Sequence, residues 1–439
     1  MHVLFLGMRI AAPVLFCVCV LTLTGTLLSG MYCEPAPSQL SAGFRFSRAL
    51  SPIEFDPQAE GVRVNGELLV DSSDCRECHT TVYDNWYASR HRVAFTNELY
   101  QESHAREPSV WCVNCHAPFM RPEGDPEISQ DRVQVADGIS CMVCHVRDNR
   151  ILTGSRPTPG LDAHGRLLND IDEQVAREAG ASMPTGVLAE SDLQASNQTE
   201  DESRTYAHEY TVMPVMRSAE FCAECHQFNF LTADSTHTDF RYADLPMQST
   251  YTEWKASDYF DRSTCQSCHL MRDTDDSHAF PGGHAVERLA AVLAVDALLL
   301  DEFPDNTSRL IELRVVTLGV GHAFPTGDLF RALKVRLYVP DGSLQREFYL
   351  HKLYRSLPVD QQTADRAART LVRDTVIPPP VGDYASARTE VLDWPRRHLS
   401  SIRYELSIEY LDQSNRLTTR LPEDLTRAVI KSGALHIRN

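Results

Sequence analysis

CRECH at residues 75–79, CVNCH at 112–116, CMVCH at 141–145, CAECH at 222–226 and CQSCH at 265–269 decide how the rest of the sequence is read. The chain has 439 residues and thirteen cysteines. Cys17, Cys19 and Cys33 lie in or beside an apolar N-terminal run, and the other ten all fall in these five motifs. One Cys-x-x-Cys-His is a moderate signal for attachment of a c-type haem, and five out of five is a strong one. The two thiols form thioethers to the porphyrin vinyl groups, and the adjacent His gives the iron its proximal nitrogen. Zinc sites would pair CxxC units, and five is odd. A redox dithiol has no use for the His. The motifs therefore imply five covalently bound haem c groups, attached at Cys75, Cys78, Cys112, Cys115, Cys141, Cys144, Cys222, Cys225, Cys265 and Cys268. The proximal ligands are His79, His116, His145, His226 and His269.

Each iron has a second axial position. Outside the motifs and the leader stand eleven more histidines: His91, His104, His164, His208, His237, His278, His284, His322, His351, His398 and His436. They suffice to make all five haems bis-histidine. Met213 and Met216 are the competing ligands, and methionine would raise the potential. The four letters His-Ala-Phe-Pro occur twice, in HAFPGGH (278–284) and GHAFPTG (321–327), each followed by a Gly-containing turn. Such a turn fixes the backbone and can hold an imidazole over a haem face, so each copy is expected to supply a ligand. In the first copy His278 and His284 remain alternatives.

The net charge of −18 argues against a nucleic-acid partner and fits redox partners with cationic docking patches. Residues 1–30 combine one Arg, an apolar run and a small-residue end. They are expected to be a signal peptide or a membrane anchor, which places the protein in the periplasm or outside the cell. Nothing in the sequence fixes an oligomeric state.

Residues 31–74 are expected to form an arm with one hairpin, GVRVNGELLV, around Asn65-Gly66. Residues 75–285 hold every motif among helical patches and loops, with VYDNWYASRHRVAFTNELY as one helix. The fold expected there is a mainly α, loop-rich multihaem cytochrome c domain, in which porphyrin faces provide apolar area that the polypeptide lacks. Residues 286–439 change character. Runs such as RLIELRVVTLGV, RALKVRLYVP and SIRYELSIEYLD alternate as strands do, and six or seven of them predict a C-terminal β-sandwich-like domain. RLAAVLAVDALLL suits a helix or a strand, and LPEDLTRAVIKSG suits a closing helix.

The ordered motifs resemble a known family. CHTTVYDNWYASRHRVAF (78–95), WCVNCHAP, GISCMVCH, SAEFCAECHQ, YTEWKASDYF, TCQSCHL and HAFPGGH are similar to segments of the multihaem cytochromes related to cytochrome c-554. The haem core of that family also resembles that of hydroxylamine oxidoreductase. The resemblance covers about residues 75–330. It implies that His91 is a distal ligand, as are His278 or His284, and His322. It makes His208 comparable to a His found shortly before the fourth haem motif. One departure matters: Tyr251-x-x-Trp254-x-x-Ser257 repeats Tyr83-x-x-Trp86-x-x-Ser89, but Tyr259 stands where His91 does. The second copy offers packing and no imidazole, so His104, His164 and His237 compete for the remaining position.

The expected function is electron transfer through mostly bis-histidine haems, with no catalytic residue assigned. Two alternatives stand beside it. One is a multihaem oxidoreductase acting on a small nitrogen or sulfur compound at one open haem. The other is a subunit of an extracellular cytochrome filament.

Overall fold

The structure is a computed structural model. It describes residues 62–64, 67–69, 71–118, 136–147, 150–154, 210–236, 240–270, 277–302, 307–411, 413–435 and 437–438. The leader, most of the arm, the stretch 155–209, and the candidate ligands His164, His208 and His237 lie outside these residues. Residues Ser41–Asn439 form one compact unit.

The expected hairpin is present as β1 (Val62–Val64) paired antiparallel with β2 (Glu67–Leu69). The helices that follow are short: α1 (Ser73–Arg76), α2 (Thr80–Tyr87), α3 (Glu98–Arg106), α4 (Val110–His116), α5 (Cys141–His145), α6 (Ala219–His226), α7 (Thr250–Lys255) and α8 (Cys265–His269). Four of the five motifs form the last turn of a helix and end it on the His. Helical spacing puts Cys i, Cys i+3 and His i+4 on one face, which is what a single porphyrin needs. The first motif differs, because His79 stands between α1 and α2 as the residue capping α2.

Among the described residues these helices are short, and most of them carry all or part of a motif. Strands interrupt them: β3 (Val146–Arg147), β4 (Arg150–Thr153) and β5 (Thr211–Val212) form one small sheet, and β6 (Gln227–Leu231) pairs with β7 (Tyr242–Ser249). The single helix expected over 82–100 is also corrected. Helix α2 stops at Tyr87, and residues 88–97 run through turns before α3. The buried Ser89 turns the chain: its N–H donates to the Trp86 carbonyl (2.8 Å) and its Oγ accepts from the Arg92 N–H (3.4 Å). Local hydroxyl bonding of this kind competes with helix.

The C-terminal part is a sandwich of two four-stranded sheets, β11–β10–β15–β16 and β14–β9–β8–β17. The strands are β8 (Leu293–Glu302), β9 (Ser308–Leu318), β10 (Ala332–Tyr338), β11 (Leu344–Leu350), β12 (Lys352–Ser356), β13 (Arg369–Asp374), β14 (Ala385–Pro395), β15 (Arg403–Glu409), β16 (Arg427–Ala434) and β17 (Ile437–Arg438). Along β9 burial alternates strictly, with Arg309, Ile311, Leu313, Val315 and Thr317 turned inward, the period of a half-buried strand. Leu333, Val335, Leu337, Leu406 and Ile408 of one sheet meet Leu293, Ile311, Leu313 and Trp394 of the other in one core. RLAAVLAVDALLL is both elements in turn, α9 (Val286–Val292) followed by β8. The closing helix is corrected: only Glu423–Thr426 is helical, and the rest is β16, paired with β15.

Candidate haem ligand sites

Among the described residues, His145, His226 and His269 each face a second imidazole. The His269 and His322 ring centres are 6.2 Å apart with planes 15° from parallel. His145 and His278 are 6.2 Å apart at 38°, and His91 and His226 are 6.3 Å apart at 52°. Two imidazoles on opposite sides of one iron, with metal–nitrogen bonds of about 2.0 Å and roughly 1.1 Å more to each ring centre, place the centres about 6 Å apart. The rings therefore fit the group that the motifs imply.

The second ring nitrogens agree with this. Nδ1 lies 2.8 Å from the Ala94 carbonyl in His116, 2.9 Å from Leu152 O in His145, 2.7 Å from Pro281 O in His269 and 2.8 Å from Ala323 O in His322. A carbonyl can only accept, so each Nδ1 carries the proton and Nε2 keeps a free lone pair for a metal. Burial and the neighbouring His226 and His269 hold His91 down at about 3. Burial, His269 and Arg331 hold His226 at about 4. Burial also lowers His116 and His322. In all four, burial favours the neutral imidazole, the form that ligation requires.

The two HAFP copies have different backbones. In the first, His278 and Phe280 take positive φ, 68° and 46°. Its backbone is pinned by the His278 N–H on Leu270 O (3.0 Å) and the Asn85 side-chain amide on Ser277 O (3.0 Å). This one turn reaches three sites. His278 faces His145, the Phe280 ring packs edge-on against His91 at 4.4 Å, and the Pro281 carbonyl orients His269. In the second copy His322 faces His269, while Phe324 bridges to Ile377 and enters the sandwich core.

Of the two alternatives in HAFPGGH, His278 stands opposite a proximal ring. His284 instead stacks on Tyr410 at 4.0 Å and 15°, and burial, Arg90 and Arg331 hold it at about 3. The closest ring described beside His116 is Tyr100, stacked at 4.1 Å, with His104 behind Tyr100 at 5.4 Å. His79 has an interaction of its own. Met216 is buried beside α6.

The second Tyr-x-x-Trp-x-x-Ser copy does what the first does, by other means. Trp86 Nε1 donates to Ile139 O and Trp254 Nε1 to Ser263 O, both at 2.8 Å. The Tyr259 ring then lies against Gly321, 3.2 Å from where a Cβ would stand. It packs under the loop that carries His322. The sequence signal was the repeat itself, but the target of Tyr259 is a long-range contact that no local pattern encodes.

Several motif cysteines approach a cysteine of another motif. A hydrogen bond with Cys141, then burial, push the Cys75 thiol up, and the same bond holds Cys141 down. Cys115 is raised by a hydrogen bond with Cys225, and Cys222 by one with Cys265 and by its neighbour Cys144. The motifs are thus linked first to third, third to fourth, and fourth to both second and fifth.

The family described as cytochrome c554 and c-prime matches residues 74–146. A penta-haem cytochrome c552 from Thermochromatium tepidum is similar in structure, with a TM-score of 0.56 at 19% identity, covering 83% of this chain and 97% of that chain. A β-glucuronidase from Bifidobacterium dentium aligns at a TM-score of 0.16 and 9% identity, over 33% of this chain and 17% of that chain, which carries no weight. No curated protein matches. Residues 74–146 thus match the cytochrome c554 and c-prime family, and the chain shares the fold of a penta-haem c-type cytochrome.

Proposed function

We propose that the protein is an exported pentahaem c-type cytochrome that passes electrons between redox proteins through mostly bis-histidine haems. The three facing imidazole pairs at 6.2–6.3 Å carry this proposal. Bound haem c supplies one-electron ferric/ferrous chemistry. The chain's residues do the rest. His145 with His278, His226 with His91, and His269 with His322 would hold iron on both faces and leave little room for substrate. The carbonyls of Ala94, Leu152, Pro281 and Ala323 fix the ring orientation. The approach of Cys75 to Cys141, of Cys115 to Cys225 and of Cys222 to Cys265 supports electron passage between neighbouring haems. Export is supported by the leader and by the cysteine placement alone.

A pyridine haemochrome assay should give five haems per chain, and a stepwise reductive titration should resolve more than one potential. Any other haem count sinks the proposal. The oxidoreductase alternative rests on His116, whose stacked ring is Tyr100 at 4.1 Å, with His104 behind Tyr100. Carbon monoxide binding by the reduced protein would favour that alternative, and a wholly low-spin spectrum would remove it.

A further inference from the structure

Each HAFP turn ends in glycine, and a guanidinium lies between the two glycines. A Cβ on Gly283 would stand 2.8 Å from the Arg331 guanidinium carbon, and one on Gly327 would stand 2.9 Å from its Nη1. Both turns close on Arg331 because neither carries a side chain at that point. Nη1 donates to Thr326 O at 2.9 Å, but Nε is buried with no hydrogen-bond partner. Leaving such a donor unpaired is costly. The two turns border two of the facing pairs: Pro281 O of the first lies 2.7 Å from His269 Nδ1, and Gln248, 3.9 Å from where a Cβ on Gly327 would stand, reaches His226 Nδ1 at 3.1 Å.

A second cation is close. Arg90, next in sequence to His91, shares the neighbourhood of His284 with Arg331. Among the described residues neither arginine forms an ion pair, although the chain carries a net charge of −18. Tyr410 completes the cluster. Its ring covers His284, and its hydroxyl donates to Gly283 O at 3.0 Å. Two arginines without a carboxylate, one with an orphaned buried Nε, are prepared for an anion with the geometry of a carboxylate.

We infer that Arg331, assisted by Arg90, receives propionate carboxylates of the haems attached at CAECH and CQSCH. The inference rests on the haem assignment above. It makes Arg331 of the β-rich part an electrostatic partner of haems held by the other part. A fixed cation beside a propionate favours the ferrous state, so removing it lowers the potential.

The test uses the fully haem-loaded protein and Arg331→Gln, with Arg346→Gln on exposed β11 removing the same charge at a distance. Spectroelectrochemical titration should show one or two low-spin haems moving to lower potential in Arg331→Gln. Arg331→Lys should recover part of the shift, and Arg346→Gln should show none. A crystal structure of the parent holoprotein should place Arg331 Nε about 3 Å from a propionate oxygen. Unchanged potentials in Arg331→Gln, or Nε bonded to a protein acceptor or to water in that structure, would overturn the inference. It also fails if added phosphate moves the same potentials in the parent and not in Arg331→Gln, because the cluster would then hold an exchangeable anion. A parent haem count other than five would strike the haem assignment instead, and the count is read before the variants are made.

Discussion

The two parts of this molecule bury themselves by different means. In the sandwich one continuous core joins both sheets, with Leu333, Leu337, Ile311, Leu313, Leu406 and Trp394 fully buried. In the haem-motif part the described core is broken into small groups, such as Met142, Val143 and Val146, or Phe95, Tyr100, Val113 and Ala117. Side chains in the first part pack on one another. Those in the second are arranged around positions where the motif residues converge. The difference teaches that a polypeptide can leave its core to a cofactor, and that its sequence then lacks the regular apolar periods of a self-packed fold.

The largest expected effect follows directly. A chain produced without haem attachment should keep the sandwich and lose order around α2–α8. Hydrogen exchange should show lasting protection in β9, β10 and β15 and rapid exchange in the motif helices. Equal protection in both parts would break the comparison. Next in size is the sandwich core. Trp394→Ala removes a fully buried side chain, which costs about 3–5 kcal/mol. Thermal unfolding of the β-rich part should drop sharply, while the low-spin spectrum of the haems held within 75–285 is retained.

The same contrast explains what the sequence could reveal. The five CxxCH motifs and the alternation of β9 are local patterns, and both were legible. The pairing of His91 with His226 spans distant segments; the resemblance implied that His91 is a distal ligand but not which iron it serves. The helix misread over 88–97 failed for a local reason, since apolar spacing continued past Tyr87 while the buried Ser89 hydroxyl turned the backbone. LPEDLTRAVIKSG failed for a tertiary one. Its Lys431 reaches Ala290 O and Leu293 O, and β15 offers it a free edge.

The parts are also tied together, and the tie can be cut. Glu253 of α7 accepts from Lys352 of β12 at 2.6 Å, from the Thr326 hydroxyl at 2.6 Å and from Ser249 at 2.8 Å. Burial pushes the Glu253 carboxyl up, but Lys352 and the two hydroxyls outweigh it and hold it below the usual range. A carboxyl lowered on folding stabilises above its unfolded value, about 4.3, and that stability is lost as pH falls through the lowered value. Lys352→Met should cost about 1–3 kcal/mol at pH 7, read by denaturant unfolding, and should flatten the stability profile below about pH 4.5. An unchanged profile would mean that the pair does not join the two parts.

The smallest effect on stability and the sharpest on the comparison is His322→Ala. His322 lies between β9 and β10, in the part with a core of its own, yet its ring faces His269 of the other part. The ring can be lost without emptying the sandwich core, because Phe324 still anchors the turn at Ile377. Global unfolding should therefore move little. The haem at CQSCH should lose one axial imidazole, become five-coordinate, rise in potential and bind carbon monoxide that the parent site does not. Four haems should stay as they were. If the variant remains wholly low-spin, another residue fills that position, and the β-rich part supports its neighbour only by packing through Tyr259 and Glu253.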